Sequence, residues 1–114
     1  MLTVYGIPNC DTVKKARGWL DAREIAYGFH DYRKQGVPEG QLRGWVGRLG
    51  WEALLNRRGT TFRGLPEAER EGLDAERGVA VMLAHPSAIR RPVAEVGGTL
   101  LIGFSAEEWA AKLR

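Results

Sequence analysis

The sequence predicts an α/β fold: one mixed four-stranded sheet with helices on its faces, and a helical insertion between the two halves of the sheet. Three observations lead to this prediction. The beginning of the chain has a strand–helix–strand pattern, the end has a strand–strand–helix pattern, and residues 38–88 between them have helical patterns. Because one sheet needs strands from both ends, we expect residues 1–114 to form a single domain.

The beginning of the chain is predicted to form a βαβ unit. Residues 2–5 are rich in β-forming side chains and are followed by Gly and Pro, as is typical of a short strand. Apolar side chains at helical spacing predict a helix over residues 11–23, with Asp11 or Asn9 as its N-cap. Residues 25–32 alternate as a second strand. A strand, a helix and a strand in this order imply parallel strands with a right-handed crossover.

The middle of the chain contains the strongest amphipathic helix. After a polar segment at residues 33–38, which is predicted to be a loop, four apolar side chains recur at i, i+3, i+4 and i+7. These four are Leu42, Trp45, Val46 and Leu49. The remainder is predicted, in order, as a helical turn at 51–55, a basic loop at 57–64, a short helix at 66–71 and a helix at 74–84.

The end of the chain is predicted to be a hairpin followed by a helix. Residues 92–96 and 99–102 are strand-forming, and the two glycines between them are typical of a tight antiparallel turn. Ser105 and Glu108 form a capping box that begins the last helix. Its core-facing residues are predicted to be Ala106, Trp109, Ala110 and Leu113. The complete order of elements is that of a thioredoxin-like fold interrupted by a helical insertion.

Composition and charge exclude several classes of function. The formal net charge is +3, from 17 Lys and Arg against 14 Asp and Glu, and these charges are interspersed, so we expect no binding to nucleic acid. The apolar runs are too short to cross a bilayer, and the N-terminus lacks the pattern of a signal peptide, so we expect no membrane association. A single cysteine permits no internal disulfide and suits a reducing compartment. We therefore expect a cytoplasmic protein, and we also expect it to be a monomer.

Cys10 is the candidate nucleophile. It lies where the first strand turns into the first helix, and the N-terminus of a helix favours negative charge, which stabilises a thiolate. Lys14 and Lys15 favour the thiolate further, whereas Asp11 opposes it. The structural alternative is a buried, unreactive cysteine. The position three residues later, where many oxidoreductases carry a second cysteine, is Val13, so an external thiol must complete any redox cycle.

The polar neighbours of Cys10 have two possible uses. Asn9 and Thr12 could donate hydrogen bonds to the thiolate or could serve only to cap the helix. His30 and His85 do not have the spacing of metal ligands with Cys10, and we expect no metal site.

Several motifs together resemble the ArsC/Spx family, particularly its YffB-like branch. In chain order they are YGIPNCDTVKKA at residues 5–16, FHDYR at 29–33, GWEALLN at 50–56 with RGTT at 58–61, IRRP at 89–92 and LIGFS at 101–105. The resemblance covers essentially the whole chain. It implies a thioredoxin-like core with a helical insertion and a single redox-active cysteine, which corresponds to Cys10.

The resemblance also implies residues that bind the substrate. The arginine of the Arg-Pro motif corresponds to Arg91, and Pro92 corresponds to a proline that is cis in this fold. A solvent-facing loop arginine is the structural alternative for Arg91. Arg58, which lies in a loop flanked by glycines and threonines, is a second candidate for anion binding. The two other positions at which arsenate reductases carry an oxyanion-binding arginine are Asn56 and Gly103 in this chain.

The resemblance therefore favours glutathione over arsenate as the substrate. We expect a glutathione-dependent thiol–disulfide reductase in which Cys10 forms a mixed disulfide that glutathione or a glutaredoxin-like protein resolves. Glutathione is the co-substrate, and no bound cofactor is expected. The alternatives are an arsenate reductase and, from a different class, a non-enzymatic regulator that resembles Spx and binds RNA polymerase.

Overall fold

The structure, a computed structural model, describes residues 1–113. The chain divides into two compact units. Met1–Gly36 and the chain from Arg91 onward form the first, which we call the sheet unit, and Val37–Arg90 form the second, which we call the helical unit. The helical unit spans the segment that the sequence predicts as an insertion. That both units belong to a single domain stays a prediction.

The sheet unit contains the predicted mixed sheet. Within residues 1–113 the sheet has four strands in the order β2-β1-β3-β4, with β1 parallel to β2 and the other neighbours antiparallel. The strands are β1 (Thr3–Gly6), β2 (Gly28–Asp31), β3 (Val93–Val96) and β4 (Thr99–Ile102). The α/β class and the hairpin between β3 and β4 are thus confirmed.

Two helices of the sheet unit contribute to one hydrophobic core. These are α1 (Asp11–Ala22), which follows β1, and α8 (Ala106–Lys112), at the end of the chain. The buried side chains of this core are Leu2, Val4, Ala16, Leu20, Ala94, Leu101, Trp109 and Leu113. The prediction that Ala106 and Ala110 also face the core is wrong, because both are exposed. An alanine methyl group is small enough to remain in water at little cost, so alanines do not determine which face of a helix is buried.

The helical unit consists of short helices around its own buried residues. They are α3 (Glu39–Leu49), α4 (Trp51–Leu54), α5 (Thr60–Arg63), α6 (Glu67–Arg70) and α7 (Ala75–Ala84), followed by a 3₁₀ turn (Pro86–Ala88). Leu42 and Trp45 of α3 are buried as predicted, but Leu49 is 43% exposed. Leu49 is the last residue of its helix, and Gly50, at φ 87°, turns the chain away immediately after it.

The segment after β2 differs from the prediction. Residues 33–38 are not wholly a loop, because Tyr32–Gln35 form a single helical turn, α2. The Asp31 carboxylate accepts a hydrogen bond from the Arg33 N–H at 2.8 Å, which caps this turn and ends the strand one residue earlier than predicted. The predicted loop at 57–64 likewise contains a helical turn, α5.

Candidate active site

The pairing of the strands brings four chain segments to one edge of the sheet. In the register, Gly6 at the end of β1 faces Asp31 at the end of β2. Tyr5 faces Val93 at the start of β3, and Val93 faces Ile102 at the end of β4. The segments at this edge are the loop with Cys10, the turn that begins at Tyr32, the Arg91–Pro92 pair and the turn at Gly103.

Cys10 is the N-cap residue of α1. Its backbone is extended, with φ −137° and ψ 125°, and its carbonyl accepts the first helical hydrogen bond from the Lys14 N–H at 2.9 Å. The prediction that Asp11 or Asn9 caps this helix is therefore wrong, because Cys10 occupies the N-cap position and Asp11 is the first residue of the helix. The Cys10 thiol is partly exposed and forms no disulfide. As the N-cap residue, Cys10 precedes a helix of 12 residues, and its side chain forms no capping hydrogen bond with it. The N-terminus of a helix stabilises an anion.

The helix beneath Cys10 is fixed by close packing against β1. A Cβ atom added at Gly6 would lie 3.0 Å from Cγ2 of Val13, so the absence of a side chain at Gly6 permits this contact. Val13 is fully buried. The position of a second thiol in a Cys-x-x-Cys motif is thus occupied by a packed apolar side chain.

Arg91 and Pro92 precede β3 at the same edge. The peptide bond between them is cis, which is the isomer that the resemblance implies for Pro92. Pro92 is buried and Arg91 is half-buried. The Pro92 carbonyl accepts a hydrogen bond from the Gly103 N–H at 2.8 Å. Gly103 has φ +77°, a conformation that disfavours any side chain.

Tyr32 also lies at this edge, although its sequence pattern did not predict a functional role. Its side chain is 2% exposed, and its hydroxyl has no hydrogen-bond partner within the described chain. Burial raises the pKa of Tyr32, as does the nearby Tyr5, whereas the positive charge of Arg91 acts in the opposite direction. The only signal in the sequence was its place within the FHDYR motif.

Asn9 and Thr12, near Cys10 in the chain, are both exposed. Neither occupies the N-cap, so the role that remains predicted for them is hydrogen bonding to a Cys10 thiolate. No group of three or more His, Cys, Asp or Glu side chains in residues 1–113 is arranged to hold a metal ion.

Arg58 belongs to the helical unit. It is exposed, and its backbone N–H donates a hydrogen bond to the Asn56 side chain at 3.2 Å. The neighbouring Arg57 is directed to its own unit, with an ion pair to Glu52 at 3.8 Å and its guanidinium 5.3 Å from the ring centroid of Trp51. A role of Arg58 in anion binding stays a prediction.

Comparison with known proteins gives the family. The model of the ArsC family matches residues 5–112. The chain belongs to the ArsC family. A solved structure described as a YffB protein is 49% identical to this ArsC-family chain, with full coverage of both chains and a TM-score of 0.96.

Two further similarities show the range of the family. An arsenate reductase-related protein from Brucella melitensis is 49% identical, with a TM-score of 0.77 over 96% of this chain and 92% of that one. The global transcriptional regulator Spx 1 of Lactococcus lactis is 26% identical over 99% of this chain and 89% of its own length. The ArsC-family chain thus has a thioredoxin-like fold with a helical insertion, and its relatives include proteins named for a reductase and for a regulator.

None of the helices in residues 1–113 of this ArsC-family chain is both long enough and apolar enough to cross a membrane.

Proposed function

We propose that this protein is a glutathione-dependent thiol–disulfide reductase with Cys10 as its nucleophile. The observation that carries the proposal is the setting of Cys10. Its thiol is partly exposed at the N-terminus of a helix of 12 residues, and the chain has no second cysteine. A thiolate in such a setting is a nucleophile, and a lone thiol must be regenerated by a thiol from another molecule.

The proposed cycle has two exchange steps. In the first, the Cys10 thiolate attacks the glutathione sulfur of a mixed disulfide RS–SG, so that a Cys10–glutathione disulfide forms and the RS⁻ leaving group takes a proton from water. In the second, the thiolate of another glutathione attacks the glutathione sulfur of that adduct. Oxidised glutathione leaves, and the Cys10 thiolate is restored. Over the cycle the R sulfur is reduced from disulfide to thiol, the sulfur of the incoming glutathione is oxidised from thiol to disulfide, and the glutathione sulfur of the substrate stays in a disulfide throughout, so no bound cofactor is needed.

Arg91 is proposed to bind a carboxylate of glutathione. Glutathione carries two carboxylates, and an arginine can bind a carboxylate through two parallel hydrogen bonds. The position of Arg91 supports this role, because Arg91 is half-buried beside Pro92 at the edge of the sheet where Cys10 lies. Asn9 and Thr12 are proposed to donate hydrogen bonds to the Cys10 thiolate. We further propose a cytoplasmic monomer.

The first experiment is the intact mass of the protein after exposure to oxidised glutathione near neutral pH. We expect one glutathione adduct on the wild-type protein and none on Cys10→Ser, since the chain contains no other thiol. Reduced glutathione should remove the adduct. A wild-type protein that forms no adduct would contradict the proposal.

Turnover is measured with a glutathionylated peptide and reduced glutathione, and oxidised glutathione is detected as the product. Cys10→Ser is expected to have no activity above the uncatalysed exchange. Adding a glutaredoxin to the same assay shows which thiol resolves the adduct, because a glutaredoxin that acts on the adduct raises the rate beyond the sum of the two separate rates. Arsenate in place of the peptide tests the arsenate reductase alternative. Slow or no turnover is expected, since Asn56 and Gly103 stand where that enzyme has arginines.

The second candidate is a regulator that binds RNA polymerase. The observation that favours it is the similarity to Spx 1 of Lactococcus lactis over nearly the whole chain. Stoichiometric recovery of RNA polymerase subunits with the tagged wild-type protein, together with a wild-type protein inactive in the peptide assay, would favour the regulator over the reductase.

A further inference from the structure

The Tyr32 hydroxyl is a buried polar group without a partner. Tyr32 is 2% exposed, and no atom of residues 1–113 forms a hydrogen bond with its hydroxyl. A hydroxyl that is removed from water and left unpaired destabilises the folded state. Unpaired buried groups are rare in native proteins, and such a group often marks a place where a water or a ligand supplies the missing bond.

The position of Tyr32 is firmly fixed. Asp31 caps the α2 turn by accepting from the Arg33 N–H, and the Asp31 N–H in return donates to the Gln35 side chain at 3.1 Å. The His30 ring donates to the Gly36 carbonyl at 2.8 Å, across the same turn. These hydrogen bonds hold the backbone of the α2 turn, from which the Tyr32 side chain enters the protein interior.

The surroundings of the hydroxyl are suited to an anion. The positive charge of Arg91 is near enough to oppose the rise in the pKa of Tyr32. Tyr5 also lies near Tyr32. The Tyr5 hydroxyl is already hydrogen-bonded to Glu95. Of these two tyrosines, it is Tyr32 whose hydroxyl proton has no acceptor in the described chain.

We propose that the Tyr32 hydroxyl is a ligand-binding group that, together with Arg91, holds a carboxylate of glutathione by donating a hydrogen bond to it. The inference rests on the proposed function and names a specificity-determining residue for it. A carboxylate is the acceptor that the hydroxyl lacks, and the half-exposed Arg91 gives this place the positive charge that a carboxylate needs. The ordinary pKa of a tyrosine phenol already lies well above neutral pH, and burial raises the pKa of Tyr32 further, so the phenol is protonated and available as a donor.

The proposal separates binding from stability. Tyr32→Phe keeps the ring and removes only the unpaired hydroxyl, so the thermal midpoint of the unliganded variant should be equal to or above that of the wild type. The loss of a hydrogen bond to a charged group should weaken glutathione binding by about tenfold or more. A purely structural tyrosine would give the reverse result, with lower stability and unchanged binding.

Binding is measured by calorimetry with reduced glutathione in a Cys10→Ser background, in which no chemistry can occur. Tyr27→Phe is the matched control, because it also removes only a tyrosine hydroxyl. The Tyr27 hydroxyl accepts a hydrogen bond from Arg17 at 3.3 Å, and Tyr27 lies before the start of β2. It should leave glutathione affinity unchanged. Glutathione diethyl ester, in which both carboxylates are blocked, should bind with equal affinity whether or not the Tyr32→Phe substitution is present.

Kinetic measurements complete the test. With Cys10 intact, Tyr32→Phe is expected to raise KM for glutathione by about tenfold and to leave kcat and the formation of the Cys10 adduct at saturation unchanged. Equal glutathione affinities for wild type and Tyr32→Phe would overturn the inference, whatever the outcome for the reductase. If the wild type forms no Cys10 adduct, the proposed function fails, and calorimetry, which needs no reaction at Cys10, still decides whether Tyr32 binds the carboxylate.

Discussion

The two units of the molecule differ in what their polar side chains contact. In the helical unit, polar and charged side chains pair with one another at or near the surface. Arg43 contacts Glu39 at 2.8 Å and Glu76 at 3.0 Å, and His85 contacts Glu69 at 3.3 Å. In the sheet unit, the edge with Cys10 has a buried tyrosine hydroxyl that no group of the described chain pairs with and a half-buried Arg91.

This difference distinguishes polar groups that support the fold from polar groups that are available to a ligand. Exposed ion pairs contribute little to stability but satisfy the charges that form them. An unpaired buried group destabilises the fold unless a water or a ligand supplies the missing hydrogen bond. By this criterion the sheet unit carries the chemistry.

The largest effects are expected from the cores of the two units. Leu20 of the sheet unit and Leu54 of the helical unit are both fully buried, so Leu20→Ala and Leu54→Ala should each lower the free energy of unfolding by about 2–5 kcal/mol. If the chain is a single domain, each variant lowers the midpoint of one shared transition. Urea unfolding measures the free energy, and calorimetry measures the midpoint. Two transitions, each moved by only one of the variants, would show that the units unfold independently.

The second prediction compares arginines of the two units. Arg91→Ala should lower kcat/KM for the glutathione-dependent reaction about 10- to 100-fold, the cost of a hydrogen bond to a charged ligand group. Arg57→Ala should change it less than about threefold, because an exposed pair with Glu52 contributes little. The decrease in kcat/KM for Arg58→Ala is expected to lie between those for Arg91→Ala and Arg57→Ala.

The same steady-state assay serves all three variants, and thermal melting shows that each is folded. An Arg57→Ala effect as large as that of Arg91→Ala would contradict the distinction between the units.

The sheet and the position of Cys10 could be predicted because the signals for them are local. The two glycines at 97 and 98 define a hairpin by their spacing alone, and the βαβ pattern requires parallel strands. The Cys10 thiol follows a strand and precedes a helix, so its place at the helix N-terminus also followed from the order of the chain. The resemblance also predicted the cis peptide bond before Pro92. The spacing of residues alone does not reveal such a bond.

The unpaired hydroxyl of Tyr32 could not be predicted in this way. Whether a hydroxyl is buried and unpaired depends on groups that the fold brings together, such as Tyr5 and Arg91. The α2 turn that fixes Tyr32 depends on capping by the Asp31 side chain, and the alternation of residues 25–32 favoured a longer strand instead. Hydrophobic periodicity contains no information about either feature.

The third prediction concerns the packing beneath Cys10. Gly6→Ala would place a Cβ atom 3.0 Å from the stiff Val13 side chain, so the free energy of unfolding should fall by about 1–3 kcal/mol. A Cβ atom added at Gly18, which lies in α1 as Val13 does, would meet no atom within 4 Å. Gly18→Ala should therefore raise the free energy of unfolding by about 0.5–1 kcal/mol. Urea unfolding of both variants checks the signs. A Gly6→Ala protein as stable as the wild type would mean that β1 and α1 can separate without cost.

The smallest effect is expected at the far end of α1, where strain has no link to the Cys10 site. Glu24 has φ 55°, and its N–H and that of Ile25 donate to the carbonyls of Asp21 and Leu20. This is the hydrogen-bond pattern in which glycine is the usual residue at the position of Glu24. Glu24→Gly should therefore raise the free energy of unfolding by about 0.5–1 kcal/mol, whereas Glu24→Ala, which keeps a Cβ atom, should not. Equal gains for Gly and Ala in urea unfolding would assign the effect to the lost carboxylate. A gain for Gly alone, with kcat/KM unchanged, would show that strain at this end of α1 can be relieved without loss of function, unlike the unpaired hydroxyl of Tyr32.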